Sequence, residues 1–180
     1  MKRLLFAVLA VPFFALSAAA QGTQETVIVV RHAEKARTPA DDPPLTAAGE
    51  ARARDLWAAV RDAGVSAVIT TQFARTRATG QPTASALGLT EIVVPATSPS
   101  HIRDVITEIS KHSGSTVLVV EHSNTVPAIV EALGAKRPSA ICDATYDDLF
   151  VVTITDGKAS AVHAKYGVPS PRDSTCGAMR

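Results

Sequence analysis

Short apolar runs alternate along the chain with longer segments whose apolar residues recur at helical spacing. The first run, residues 26–30, is continuous and rich in valine, as expected of a strand buried on both faces. Residues 102–112 carry isoleucine and valine at intervals of three and four, which is typical of one helix face. The pattern predicts strands at residues 26–30, 67–70, 91–94, 116–121, 149–155 and 158–164, and helices at residues 46–63, 75–87, 102–112 and 125–133.

The first four predicted strands each precede a helical segment, and this alternation predicts an α/β fold. We expect three layers, with a mostly parallel sheet and helices on both of its faces. The last two strands, joined by Asp156-Gly157, form a hairpin that adds one antiparallel strand. Thr46 is expected to cap the first helix, and Pro82 is expected to start, kink or break the second.

The first twenty residues carry the pattern of a secretory signal peptide. Lys2 and Arg3 precede an apolar run over residues 4–16, and small residues end the segment at Ala20. The run is shorter than the roughly 20 apolar residues of a membrane-spanning helix, and Pro12 interrupts it. We therefore expect cleavage after Ala20 and a periplasmic or secreted protein, with an uncleaved anchor as the alternative. The expected divisions are a signal peptide (1–20), one domain (21–166) and a C-terminal tail (167–180).

The charge balance argues against two classes of protein. The chain has 18 basic and 17 acidic side chains, and the first twenty residues hold two of the basic ones and no acidic one, which leaves 16 against 17. A nucleic-acid-binding protein or a membrane-surface protein would carry a basic face that shows in these totals. We therefore expect no nucleic-acid partner, and no stable membrane insertion after signal cleavage.

The mature chain contains two cysteines, Cys142 and Cys176. In an oxidising compartment they can form a disulfide that ties the tail to the domain, and closing a loop of about 35 residues would add about 3 to 4 kcal/mol of stability. Two unpaired thiols are the alternative, since no spacing signature links these cysteines. The sequence has no Cys-x-x-Cys motif and no His/Cys cluster, so we do not expect a zinc site.

Four cationic or imidazole side chains follow the predicted strands. Arg31 and His32 come after the first strand, Arg75 after the second and His122 after the fourth. The carboxyl ends of parallel strands meet at one edge of the sheet, where sites form. Guanidinium groups bind the oxygens of a tetrahedral phosphoryl group in bidentate fashion, and imidazole can act as a nucleophile. The set predicts a phosphate site with a built-in nucleophile.

The segments around these residues resemble motifs of one family. Residues 29–34 resemble the Arg-His-Gly motif of the histidine phosphatase superfamily, which is also called phosphoglycerate mutase-like. Residues 45–53 are similar to its Leu-Thr-x-x-Gly-x-x-Gln-Ala segment, and residues 70–79 to its Ser-x-x-x-x-Arg-x-x-x-Thr segment, which aligns Arg75 with a phosphate-binding arginine. Residues 119–124 resemble the segment of its second histidine. The four motifs occur in the family's order.

The resemblance implies a two-step phosphoryl transfer. His32 would attack phosphorus and become phosphohistidine, while Arg31, Arg75 and His122 hold the oxygens, and water would then release phosphate. Glu34 and Ser123, beside the two histidines in the sequence, are expected to contact the substrate. The resemblance implies no metal and no cofactor. The substrate would be a phosphorylated small molecule or a phosphorylated macromolecule.

The chain departs from the family pattern at three positions. Ala33 replaces a glycine, and Ser123 replaces the glycine that often follows the second histidine. Glu121 stands where a small residue is usual, and strand alternation predicts that its side chain points away from the face that carries His122.

The proton donor of the implied reaction is left open by the sequence. Many family members carry an acidic residue in an insertion that this compact chain lacks. Glu34, Asp104 and Glu121, in that order, are the candidates. The chain is as compact as the family's phosphohistidine phosphatase branch, and this resemblance implies a reaction without a dedicated acid, which a good leaving group permits. Tyr146, with Asp147 and Asp148, lines the mouth of the site or forms a polar turn before the hairpin.

The resemblance predicts a metal-independent phosphomonoester hydrolase. A phosphoglycerate mutase-type phosphotransferase is one alternative, disfavoured because the chain lacks a segment to enclose a bisphosphorylated intermediate and because export separates it from glycolysis. A catalytically silent protein that binds phosphorylated ligands is the other. Turnover of an activated aryl phosphate compared with an alkyl phosphate discriminates among these functions.

Overall fold

The structure is a computed structural model that describes residues 24–171. The predicted signal peptide and Cys176 lie outside the described residues, so export and the bridge to Cys142 stay predictions. No helix between residues 24 and 171 is long and apolar enough to cross a membrane. The strands are β1 (Gln24–Arg31), β2 (Val65–Thr70), β3 (Ile92–Val93), β4 (Thr116–Glu121), β5 (Asp148–Thr155) and β6 (Lys158–Lys165), and the helices are α1 (Ala47–Val60), α2 (Ala74–Leu87), α3 (His101–Ser110) and α4 (Val126–Ala132).

These strands form one sheet with the order β3-β2-β4-β1-β5-β6. β1 and β4, β4 and β2, and β2 and β3 pair in parallel. β5 runs antiparallel to β1, and β6 runs antiparallel to β5, so β6 points in the same direction as the parallel strands. The predicted mostly parallel sheet with one antiparallel strand is confirmed.

Helices cover both faces of the sheet because side chains alternate along the buried strands. Val27 of β1 belongs to the core formed with Val105 of α3 and Ile129 of α4. The next residue, Ile28, belongs to the core formed with Leu56 of α1 on the other face. The predicted three-layer arrangement is confirmed, and the sheet's central strands are apolar on both sides.

Close packing joins α1 to the loop that follows β1. Thr46 caps the helix as predicted, since its Oγ1 accepts the Gly49 N–H at 3.1 Å. A side chain at Gly49 would collide with the backbone oxygen of Glu34. Glycine is therefore needed at this position so that the first turn of α1 can rest on the loop after His32.

Pro82 neither starts nor breaks the second helix, because it lies inside α2, which continues to Leu87. Proline removes the N–H that would bond to the carbonyl of Ala78, four residues earlier. Ala78 is exposed, so water can satisfy that carbonyl. The helix therefore passes through Pro82 without ending there.

The beginning of the tail is attached by polar contacts. Arg52 Nη1 donates to the Tyr166 carbonyl at 3.2 Å, and Nη2 donates to the Val168 carbonyl at 2.9 Å. Ser170 N–H donates to Asp147 Oδ2 at 3.1 Å. The first residues of the tail thus reach the domain through hydrogen bonds of Val168 and Ser170.

Candidate active site

The register of β1 against β4 brings two histidines together. Arg31 pairs with Glu121 at the ends of the strands, so His32 and His122 leave the sheet side by side. The His32 N–H donates to the Glu121 carbonyl at 2.8 Å. The two imidazole rings lie 5.4 Å apart between centroids, at an interplanar angle of 66°. The structure therefore places both histidines at the predicted carboxyl edge.

His32 is held in one tautomer. Its ring is buried, and Nδ1 lies 2.8 Å from the Ala33 carbonyl oxygen. A carbonyl can only accept, so Nδ1 carries the proton and the lone pair is on Nε2. Burial, with smaller contributions from the charges of Arg31 and Arg75, lowers the pKa of His32 to about 3. At neutral pH the imidazole is neutral and nucleophilic.

Arg31 is anchored on one side of the histidines. Its Nη1 donates to the carbonyls of Cys142, Asp143 and Thr145 at 2.8, 3.0 and 2.9 Å. The guanidinium carbon lies 4.2 Å from the Tyr146 ring centroid. Within residues 24–171, its buried Nε has no hydrogen-bond partner. An unsatisfied buried donor on a fixed cation is a position where an anion gains a hydrogen bond.

Arg75 occupies the first turn of α2 in a similar arrangement. Its guanidinium carbon lies 4.2 Å from the Phe73 ring centroid, and Nη1 lies 3.7 Å from Asp42 Oδ1. Asp42 also accepts the Ala74 N–H at 2.9 Å, so one carboxylate fixes both the helix start and the arginine. The buried Nε of Arg75 has no partner among the described residues. Sequence reasoning did not identify Asp42.

His122 is oriented by neighbours from β2 and α2. Its Nε2 lies 3.2 Å from Thr71 Oγ1, within hydrogen-bonding distance, and its ring stands edge-on to Phe73 at 5.4 Å. Burial, with a smaller contribution from the charge of Arg75, lowers the pKa of His122 to about 4. His122 is therefore also neutral at neutral pH, so the positive charge of the site comes from the two arginines.

Glu34 requires a correction, because the structure directs its carboxylate to Arg52. Arg52 Nε donates to both carboxylate oxygens at 2.9 Å, and Nη2 donates to Oε1 at 2.7 Å. These contacts tie the loop after His32 to α1 and, through Arg52, to the tail. The first candidate for proton donor and substrate contact is engaged in a largely buried ion pair instead.

We expect Arg52→Leu to lower the free energy of unfolding by about 3 kcal/mol, since it leaves the Glu34 carboxylate without its partner. Urea denaturation of both proteins measures the difference. Arg61→Leu is the matched control, because Arg61 pairs with Asp62 on the surface, with side chains 62% and 89% exposed. Arg61→Leu should lower the free energy of unfolding by less than about 0.5 kcal/mol. Equal losses in the two variants would contradict the assignment.

The carboxylates of the other two acidic candidates have their hydrogen-bond partners outside the pair His32 and His122. Asp104 accepts from Ser100 Oγ at 2.6 Å in the first turn of α3. Glu121 points away from the site as alternation predicted, but it is fully buried and its carboxylate meets His101 and Thr125. Ser123 is half-buried directly after His122.

Two further residues belong to the site. Thr79 Oγ1 donates to the Arg75 carbonyl at 2.7 Å and accepts the Ala33 N–H at 2.9 Å, so it connects α2 to the loop of His32. In the sequence, Thr79 is the threonine that ends the family-like segment 70–79. The Tyr146 ring lies 6.2 Å from His32, which supports the interpretation that it lines the mouth. Asp147 and Asp148 pair with Lys165 of β6 instead.

The two depressed histidine pKa values predict a stability that falls in acid. As the pH drops through about 6.5, the unfolded imidazoles take up protons, whereas folded His32 and His122 stay neutral down to about 3 and 4. Protons therefore favour the unfolded state in this window, at about 2 kcal/mol per histidine between pH 7 and pH 5. Urea denaturation at the two pH values measures the loss in the free energy of unfolding between pH 7 and pH 5. This loss should be smaller by about 2 kcal/mol in His32→Ala than in wild type.

His101 also titrates, and its pKa is raised, chiefly by its hydrogen bond to Glu121. Its contribution to the pH dependence is present in both wild type and His32→Ala, so it cancels when the two proteins are compared. His101 has the opposite sign, because its stabilisation is present below pH 6.5 and is lost as the pH rises through its folded pKa. Identical pH dependence in the two proteins would mean that His32 titrates near its ordinary pKa in the folded state.

Comparison with known proteins finds one family model that matches part of the chain. Residues 27–97 match the histidine phosphatase superfamily (branch 1). This match covers β1, α1, β2 and α2, which carry Arg31, His32 and Arg75. No curated protein sequence matches the chain.

Solved structures share the fold over most of the chain. The protein histidine phosphatase SixA, in complex with tungstate, is 22% identical, with a TM-score of 0.63 over 78% of this chain and 96% of its own. Mycobacterial hydrolase 2 is 11% identical, with a TM-score of 0.61 over 87% and 97%. A phosphoserine phosphatase mutant from Entamoeba histolytica, in complex with phosphoserine, is 11% identical, with a TM-score of 0.57 over 79% and 96%.

Proposed function

We propose that this protein is a histidine phosphatase that hydrolyses phosphomonoesters through a phosphohistidine on His32. The observation that carries the proposal is a buried imidazole that keeps its lone pair on Nε2 and feels the charges of Arg31 and Arg75. The buried Nε–H groups of these two arginines have no partner among the described residues. The match over residues 27–97 and the phosphatases among the similar folds support it.

The first step is an in-line attack. His32 Nε2 donates its lone pair to phosphorus, the bond from phosphorus to the leaving oxygen breaks, and that oxygen departs with the bonding electrons. The guanidinium groups of Arg31 and Arg75 balance the charge on the phosphoryl oxygens. The Ala33 carbonyl accepts a hydrogen bond from Nδ1–H throughout, and so it stabilises the positive ring that forms on phosphorylation.

The second step regenerates the enzyme. A water molecule attacks the phosphorus of phosphohistidine, the bond between nitrogen and phosphorus breaks, and the electron pair returns to His32 Nε2. Inorganic phosphate leaves after the water has lost a proton to solvent or to a neighbouring oxygen. We expect neutral His122, whose ring lies 5.4 Å from that of His32, to hydrogen-bond the phosphoryl oxygens in both steps.

The nature of the leaving group follows from where the acidic residues lie. The carboxylates of Glu34, Asp104 and Glu121 are engaged with other side chains, so none of these three candidates is presented to the leaving oxygen. A positioned general acid accelerates a reaction by about 10²- to 10⁴-fold. The proposed substrates are therefore phosphorylated molecules, small or macromolecular, whose leaving group departs readily without a proton.

We expect the described domain to hydrolyse an aryl phosphate at least about 100-fold faster than an alkyl phosphate, since only the alkyl leaving group needs a general acid. Steady-state rates with 4-nitrophenyl phosphate and glycerol phosphate measure the ratio. Phosphate binding without turnover of either compound would instead support a silent binding protein. Equal rates for the two compounds would show that an acid has been overlooked.

A further inference from the structure

A buried carboxylate stands directly before the second histidine and takes no part in the proposed reaction. The Glu121 side chain is completely buried at the end of β4. Transfer of a charged carboxylate from water into a protein core is costly unless it is paired and hydrogen-bonded. The contacts of the Glu121 carboxylate therefore indicate what it does in the protein.

The contacts of Glu121 form a continuous path to the backbone of His122. His101 Nε2, at the start of α3, lies 3.1 Å from each carboxylate oxygen. On the other side, Thr125 Oγ1 donates to Glu121 Oε2 at 2.8 Å. The same hydroxyl oxygen accepts the His122 N–H at 3.0 Å. The path links α3, the end of β4 and the turn that carries His122.

We propose that Glu121, together with His101, is a positioning unit that sets the place of the His122 imidazole through the Thr125 hydroxyl. With its proton directed to the carboxylate, Thr125 presents a lone pair to the His122 amide, so the backbone of His122 has one defined orientation. The ring is held at its other end by Thr71 Oγ1 at 3.2 Å. This inference rests on the proposed function only where it assigns His122 a part in turnover.

The charges of the unit are consistent with this role. The hydrogen bond to Glu121 raises the pKa of His101, while burial opposes it and Asp104 on the same helix adds to it. Burial lowers the pKa of His122, with smaller contributions from Arg75, His101 and Arg31. When His101 is protonated, its charge offsets that of the buried carboxylate and favours the neutral form of His122.

Thr125 allows the path to be cut without removing a charge. Thr125→Val keeps the shape of the side chain but removes the hydroxyl, whereas Thr125→Ser keeps the hydroxyl. We expect Thr125→Val to lower kcat for an aryl phosphate about 10- to 100-fold, because a small displacement of a catalytic group is enough for such a loss. KM should change less than about threefold, since the arginines still bind the phosphoryl group. Thr125→Ser should restore most of kcat.

Glu121→Met provides the second arm, because methionine has a similar length and no acceptor. Replacing a buried ionic group by an apolar side chain is often tolerated by the fold, so we expect a kcat loss similar to that of Thr125→Val. Glu108→Gln is the matched control, since Glu108 forms an ion pair with Lys111 on the same helix α3 as His101 but outside the path. It should keep wild-type kcat and KM.

A readout independent of turnover separates this inference from the proposed function. In wild type, the His122 ring resonances should be narrow and should shift on addition of inorganic phosphate. In Thr125→Val and Glu121→Met they should be broadened by exchange, while Glu108→Gln matches wild type. Narrow, unchanged His122 resonances, or a kcat within about twofold of wild type in Thr125→Val, would overturn the positioning role. Absence of turnover in wild type with these resonance changes present would overturn the proposed function alone.

Discussion

His32→Ala is expected to abolish phosphatase turnover, with a loss of at least about 10⁴-fold in kcat. The His32 ring carries its lone pair on Nε2, since Nδ1 donates to the Ala33 carbonyl. His122 cannot substitute for it, because its Nε2 lies against Thr71 Oγ1 and its ring is fixed by Phe73. Steady-state rates with an aryl phosphate measure the loss.

The covalent intermediate gives a direct test of the same residue. A mixture of wild type and ³²P-labelled substrate, quenched in alkali, should retain label as an acid-labile and alkali-stable phosphoramidate. His32→Ala should retain none. His112→Ala is the control, because His112 lies beyond the end of α3 beside Glu108 and away from the site. Normal turnover in His32→Ala, or label that survives acid, would contradict the mechanism.

The fold was predictable from sequence where burial leaves a simple pattern. β4, Thr116–Glu121, was predicted with its observed bounds, because its apolar run is uninterrupted. β2 begins at Val65, two residues before the predicted strand. The prediction starts late because exposed Ser66 interrupts the apolar run. The register against β4 shifts between Val65 and Ala67, and such an irregularity has no signal in a hydrophobic pattern.

The candidate site was predictable where its residues follow strands, and not where they depend on distant partners. Arg31 and His32 are neighbours in sequence at a strand end, so topology alone brings them to the edge of the sheet. The contacts of Arg31 with the carbonyls of Cys142 and Thr145 join residues more than a hundred positions apart. The Glu34–Arg52 pair likewise depends on how α1 packs on the loop after His32. Local pattern carries no information on such pairings.

The second large effect is expected at Arg75. Arg75→Ala should lower kcat/KM about 100- to 1,000-fold and weaken inorganic phosphate binding, because it removes one of the two cations of the site. Arg75→Lys should recover only about a tenth of the wild-type kcat/KM, since an ammonium cannot reproduce the planar guanidinium fork or its stacking. Phosphate titration and steady-state kinetics on the three proteins measure both effects.

The lysine variant distinguishes charge from geometry at this position. Arg75 has its guanidinium carbon 4.2 Å from the Phe73 ring centroid and an Nε–H that is buried and unpaired among the described residues, so its contribution depends on the orientation of the fork as well as on its charge. Arg77→Ala is the matched control, because Arg77 lies on the same helix and pairs with Glu91 at an exposed position. It should leave phosphate binding unchanged. If Arg75→Lys restored full activity, Arg75 would supply charge alone, and the alignment of its Nε–H with a phosphoryl oxygen would be wrong.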